Sequence, residues 1–173
     1  NRLRESTQDT YTISLTRSGR AMLTLAAQRA DGAHTYLVPP EHTELARRLL
    51  GTDRTLIVEQ AVVITSDPTA ARAIARSHVR RYRPLVNYTN NLRRLGFDET
   101  DFQNDASDRL IDRLVAWGDL PMISKRIEEH RQAGADHIGL PAITDDPRAL
   151  PTDQWRPLAP DTPATRDTGT EPA

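Results

Sequence analysis

Between Gly19 and Gly51 the chain reads GRAMLTLAAQRADGAHTYLVPPEHTELARRLLG, and no other stretch limits the fold as tightly. A Gly turn opens a helix with apolar residues at Met22, Leu23, Leu25, Ala26 and Ala30. Asp31-Gly32 stops that helix, and a short apolar run from Ala33 to Val38 follows. Pro39-Pro40 breaks the run, and a second helix begins with Glu41 and His42 in its first turn. Just upstream, Thr10 to Leu15 (TYTISL) is β-branched and aromatic, the composition of a strand. Strand, helix, strand and helix joined by short connectors predict an α/β fold with parallel strands. Gly and Pro stand at helix ends and starts, where backbone freedom is needed and a missing N–H costs least.

The same grammar continues downstream. Leu56 to Thr65 (LIVEQAVVIT) is the clearest strand, and its near-continuous apolar character predicts burial on both faces. Ser66-Asp67-Pro68 caps the longest helical stretch, whose packing side is Ala70, Ala71, Ala73, Ile74 and Ala75. Pro84 ends or kinks it, and Leu85 to Leu95 reads as a further helix stopped by Gly96. Asp98 to Asp105 is an acidic connector. Leu110, Leu114 and Trp117 mark a helix closed by Gly118, and Asp119-Leu120-Pro121 opens another that runs to about Ala133. Asp136 to Leu140 is the last strand, which makes about four in all. Seven of the twelve prolines lie from Pro141 onward, where the texture turns extended and polar. The expected organisation is a loose leader over residues 1–9, one α/β domain over 10–158 and a disordered tail over 159–173.

Composition removes whole classes of function. There is no cysteine, so disulfide frameworks and Cys-based zinc sites are excluded. The formal net charge is -1, which recruits neither nucleic acid nor anionic lipid. No apolar run approaches the ~18 residues of a membrane span, and no secretory leader pattern is present, so a cytoplasmic location is expected. Arg72, Arg76 and Arg80 share a helical face, with Arg81 and Arg83 close by. Without the aromatic or Gly-rich elements of an RNA-binding module, that stripe reads as a solvated outer face. The five histidines show no metal-ligand spacing, so no metal is expected. No nucleophile elbow, P-loop or dinucleotide fingerprint occurs.

Three groups of residues could still do chemistry. Arg17, Ser18, Gly19 and Arg20 follow a strand and open a helix, so free backbone N–H groups, a hydroxyl and two guanidinium groups converge there. Such a turn suits a phosphate; it is equally an ordinary strand-to-helix turn with solvated arginines. His34, Tyr36 and Val38 fall on one face of their strand by alternation. His34 sits early in that strand and reads as a structural histidine, whereas Tyr36 and His42 lie nearer the end where barrel active sites are built and are weaker pocket candidates. Asn87-Tyr88-Thr89-Asn90-Asn91 offers amide and aromatic groups that suit either ligand recognition or packing between helices, and packing is the stronger reading. No catalytic residue is singled out.

The segments ADGAHTYLVPPEHT, NNLRRLGF, SDRLIDRLVAWGD and AGADHI carry a resemblance that runs from about Ser14 to Trp155. The wording resembles the C-terminal half of the bacterial luciferase-like family, particularly its deazaflavin (coenzyme F420)-dependent oxidoreductases. The resemblance implies part of a TIM-type (β/α)8 barrel, about four parallel strands with helices and a helical insertion before the last strand. A complete barrel takes about 250 residues, so a chain of 173 residues lacks most of the N-terminal half. The family implies hydride transfer with F420, or flavin-dependent monooxygenation with FMN, on a small-molecule substrate. It also implies that Arg17, Ser18, Gly19 and Arg20 hold the cofactor phosphate, although relatives commonly end that turn Gly-Pro and Arg20 stands in the Pro position here. The family's ring-supporting and proton-handling residues lie mainly on the earlier strands. A second expectation follows from that shortfall: a non-catalytic barrel fragment that covers its open face by forming a homodimer or binding a partner.

Overall fold

The computed structural model describes residues 14–16, 19–146, 148 and 150–159. The expected leader, the first residues of the first strand, the pair Arg17-Ser18 and the tail beyond Ala159 lie outside these. In chain order the elements are β1 (Ser14–Thr16), α1 (Arg20–Arg29), β2 (Gly32–Tyr36), α2 (Pro40–Leu50), β3 (Thr55–Glu59) and β4 (Val62–Ile64). There follow α3 (Pro68–Val79), α4 (Val86–Arg94), α5 (Glu99–Phe102), α6 (Asp108–Leu114), β5 (Ala116–Gly118), α7 (Leu120–Gln132), β6 (His137–Gly139) and α8 (Thr152–Trp155). A 3-10 turn over Arg156–Leu158 completes the described chain. The helix starts obey local chemistry. Asp67, Ser107 and Asp119 each accept from a first-turn backbone N–H of α3, α6 and α7.

Among the described residues six short strands form two parallel sheets, ordered β1-β2-β3-β6 and β4-β5, so the count of about four is corrected to four plus two. The run LIVEQAVVIT is two strands rather than one. Along its β6 side pairing never stops, because Gln60 and Val62 donate to the carbonyls of Gly139 and Pro141 at 2.9 and 3.0 Å. On its other side β2 pairs with β3 as far as Tyr36↔Glu59, and β5 then takes over, with Ala116 donating to the Ala61 carbonyl at 3.0 Å. The exchange occurs where Leu37 leaves β2 at φ 53, a conformation that costs a branched apolar residue energy. Leu37 is buried in the core beneath the inserted helices, while Val38 beside it belongs to the core beneath α1 and α2. That reversed residue lets one chain segment seal two cores. β5 also corrects the expected helix end, since Trp117 lies on a strand instead of the last helical turn.

The arginine stripe is a further correction. Arg72 makes a bidentate pair with Asp112 at 3.0 and 2.7 Å and reaches Asp108 at 3.1 Å. Arg76 pairs with Asp108, and Arg80 and Arg83 both pair with Asp105. The acids at 105, 108 and 112 recur every three or four residues, matching the arginines' four-residue spacing closely enough to lace α3 to α6 and its leading turn. Asn104, Asp105 and Ala106 all have positive φ, a tight turn that the arginines hold from outside. The acidic connector contains the one-turn helix α5, where Asp98 and Asp101 close a capping box. The Arg109 guanidinium, with the Ser107 hydroxyl and the Asp98 N–H, holds the Asp101 carboxyl at a pKa of about 2 against its burial.

Candidate functional site on the open face of the sheet

The two faces of the four-stranded sheet differ in character. Ala33 and Thr35 of β2 and Leu56 and Val58 of β3 are buried under α1 and α2, against Leu23, Ala26, Ala46 and Leu50. By alternation and register the other face carries His34 and Tyr36 of β2, Ile57 and Glu59 of β3, and His137 and Gly139 of β6. These six are partly or well exposed, and four of them are polar or titratable.

The C-terminal end of this open face is walled by tyrosines from three separate segments. The Tyr36 ring lies 5.5 Å from that of Tyr82 and 5.4 Å from that of Tyr88, and Tyr82 and Tyr88 are 5.4 Å apart. Tilted and edge contacts at these separations are favourable for aromatic quadrupoles. Tyr82 follows α3 and Tyr88 lies on α4, so the helical insertion is pinned to the strand end by this trio. Burial pushes the Tyr82 phenol up, with Tyr36 and Glu59 adding to it against Arg81, so it stays protonated. His78, whose ring is 5.5 Å from Tyr82, is pushed down by burial and by Arg81. A cleft of about 230 Å³ beside His78 opens between the end of α3 and the chain after β6, lined by Ser77, Arg81, Ile143, Thr144 and Asp145.

His34 and Glu59 are diagonal neighbours on adjacent strands, Nε2 to Oε2 at 3.9 Å, each about one-third exposed. Glu59 and Tyr82 belong to the site without having been singled out. Glu59 is nevertheless the one charged residue in the run TLIVE, placed by alternation on the face opposite Leu56 and Val58.

The sequence candidates are placed as follows. Gly19 is the N-cap of α1, at φ -77 and ψ 145, and its carbonyl accepts from Met22 and Leu23 at 3.0 and 3.1 Å. The N–H groups of Arg20 and Ala21 therefore lie at the open end of the helix. Among the described residues α1 has no side-chain cap and no acid in its first turn, and none lies within 4 Å of where a Gly19 side chain would begin. Arg20 is exposed. Arg17 and Ser18 lie outside the described residues. Tyr36 ends β2 at the same end of the sheet as this turn, since β1 pairs with β2 up to Thr16↔His34.

His42 is placed elsewhere. It is fully buried on α2, in the helix layer, away from the open face. It approaches a buried polar network: His130 of α7 bonds Thr43 Oγ1 through Nδ1 and Gln60 Oε1 through Nε2, both at 2.9 Å. The Gln60 amide donates to the carbonyls of Ala61 and Leu114, which fixes its oxygen toward His130. His130 therefore carries its proton on Nε2 and accepts from Thr43. Burial, with Arg126 and His42 nearby, lowers its pKa to about 4. Glu41, the other first-turn residue, pairs with Arg113. In the Asn87–Asn91 segment Asn91 and Tyr88 are both buried, and Tyr88 packs against Tyr36 and Tyr82, which is the packing reading.

Among the described residues no three His, Cys, Asp or Glu side chains gather as metal ligands, and no helix is long and apolar enough to cross a membrane.

No protein-family model and no curated protein sequence matches the chain. Solved structures match it in fold. The coenzyme F420 dependent tetrahydromethanopterin reductase from Methanopyrus kandleri aligns with 76% of the chain at 17% identity and a TM-score of 0.60. An F420-dependent secondary alcohol dehydrogenase, in complex with an F420-acetone adduct, aligns with 80% at 15% identity and a TM-score of 0.58. The alignments cover 44% and 45% of those proteins, so the chain spans a little under half their length. The chain thus shares the parallel α/β fold of the matched portions of these two F420-dependent proteins.

Proposed function

We propose that the chain is the C-terminal half of a luciferase-like oxidoreductase that works with F420 on a small organic substrate. The observation that carries this reading is the open end of α1, uncapped and acid-free, set at the same end of the sheet as a polar face walled by tyrosines. The likeness in fold to two F420-dependent proteins supports it. The donor set fits the cofactor's parts. Two free N–H groups, a positive helix end and Arg20 suit a phosphate, and Arg17 and Ser18 are assigned to the same cradle. The tyrosine wall and Ile57 suit a planar ring. When bound, a deazaflavin supplies the hydride chemistry; the chain supplies position, charge and exclusion of water. FMN, with monooxygenation, is the alternative cofactor for the same cradle.

A fluorescence titration with oxidised F420 and, separately, FMN tests this. Saturable F420 binding is expected, weakened about 10-fold or more when Arg17 and Arg20 are both changed to Ala, because two charge-assisted bonds are lost. A folded chain that binds neither cofactor overturns the reading. The open face favours a second reading, a barrel fragment that associates with itself or a partner; a dimer by size-exclusion chromatography, together with no cofactor binding, would select it.

A further inference from the structure

The His34 imidazole, which can donate through Nε2, and the Glu59 carboxylate stand side by side without a hydrogen bond between them. Their 3.9 Å separation exceeds hydrogen-bond length, and neither side chain has another hydrogen-bond partner among the described residues. Both rise from the same face of the sheet, and Ile57, the register partner of His34, lies on that face as an apolar floor. Tyr36 is two residues beyond His34, with its ring 6.5 Å from the imidazole, and continues the surface to the tyrosine wall. An unspent N–H and an unspent carboxylate side by side accept a ligand that offers a carbonyl and an N–H on neighbouring atoms. That edge belongs to amides and, in planar form, to cyclic imides. An apolar floor with an aromatic flank selects the planar form.

We propose that His34 and Glu59 form a recognition site for the imide edge of a planar heterocycle. The His34 Nε2–H donates to a ring carbonyl, and Glu59 Oε2 accepts from the adjacent ring N–H. Resting on the cofactor reading above, the heterocycle is the pyrimidinedione end of the deazaflavin or flavin. Two strand spacings, roughly 10 Å, separate β1 from β3, so the ring end and the phosphate end are read by different strands.

The test compares oxidised F420 with its N3-methyl derivative, in which the ring N–H is blocked, by fluorescence titration of the whole chain and of Glu59→Ala. The wild-type chain is expected to bind the methylated form about 10- to 100-fold more weakly, the loss typical of a hydrogen bond to a charged group. Glu59→Ala is expected to bind the two forms equally. Equal binding by the wild-type chain, or full discrimination retained by Glu59→Ala, overturns the proposal while the cofactor reading stands. Absence of binding to both F420 and FMN overturns the two together. Histidine side-chain NMR supplies an independent readout: the His34 ring signals shift on adding F420 and those of His130 do not, whereas an unmoved His34 in the F420-bound chain also overturns the proposal.

Discussion

The two faces of one sheet are built from alternate residues of the same strands, yet they follow different rules. On the covered face Ala33, Leu56 and Val58 lock against α1 and α2 with almost no exposed surface. On the open face His34, Tyr36, Glu59 and His137 keep contact with solvent. Side chains one residue apart therefore answer to packing on one side and to solvent on the other, where the proposed recognition site lies. What separates them is the two-residue period of the strand.

The largest test of that contrast is Leu56→Ala, which removes a fully buried side chain from the covered face. A loss of roughly 3 kcal/mol is expected in urea unfolding, from lost transfer energy and the cavity left behind. A change below about 1 kcal/mol would mean that the helices are loosely seated. Next comes acid. His130 is held at a pKa of about 4 in the fold against 6.5 outside it. Between those values the unfolded chain binds more protons, so stability is whole above pH 6.5 and falls as pH drops toward 4, by roughly 3 kcal/mol in total. His130→Gln should flatten that window. Asp101, held down by Arg109, contributes stability that is present above pH 3.8 and lost only as pH falls toward 2, so the two effects separate in a pH series.

Thr35→Val refines the covered face from the other direction. The Thr35 hydroxyl is buried without a hydrogen-bond partner among the described residues, so exchanging it for a methyl group should raise stability by about 1 kcal/mol. A destabilised variant would show that the hydroxyl is satisfied in solution. The smallest effect belongs to the open face. Glu59→Gln and His34→Gln should each move the melting temperature by less than about 2 °C, since partly exposed, unbonded polar groups contribute little to folding. A large drop would reassign the pair from recognition to architecture.

Much of the fold could be read from residue order because its signals are local. Gly turns, Pro at helix starts and Asp or Ser caps act within four residues, and they locate α1, α2, α3 and α7 closely. The split of LIVEQAVVIT was hidden because apolar residues continue through Gln60-Ala61, and the change of neighbour there is decided by distant chain. β5 was hidden by a coincidence of period: Trp117 follows Leu110 and Leu114 at helical spacing, yet a three-residue strand carries no period of its own. The arginine stripe was misread for a similar reason. Its face was evident, but its partners lie about thirty residues away in sequence. Of the candidate site, the turn at Gly19 and Tyr36 stood out by position, while the His34–Glu59 pair is a property of strand register. His42 has the sequence position of a pocket residue and the burial of a core one.

The run from Thr55 to Ile64 has a further consequence. It is the one described segment that belongs to both sheets, and Gln60 at its middle ties α2, α6 and α7 to it through His130 and two carbonyls. Neither core can open without disturbing that segment. The amides of Val58, Gln60 and Val62 should therefore be among the last to exchange with deuterated water, and at one common rate, so that the chain melts as a single unit despite having two sheets.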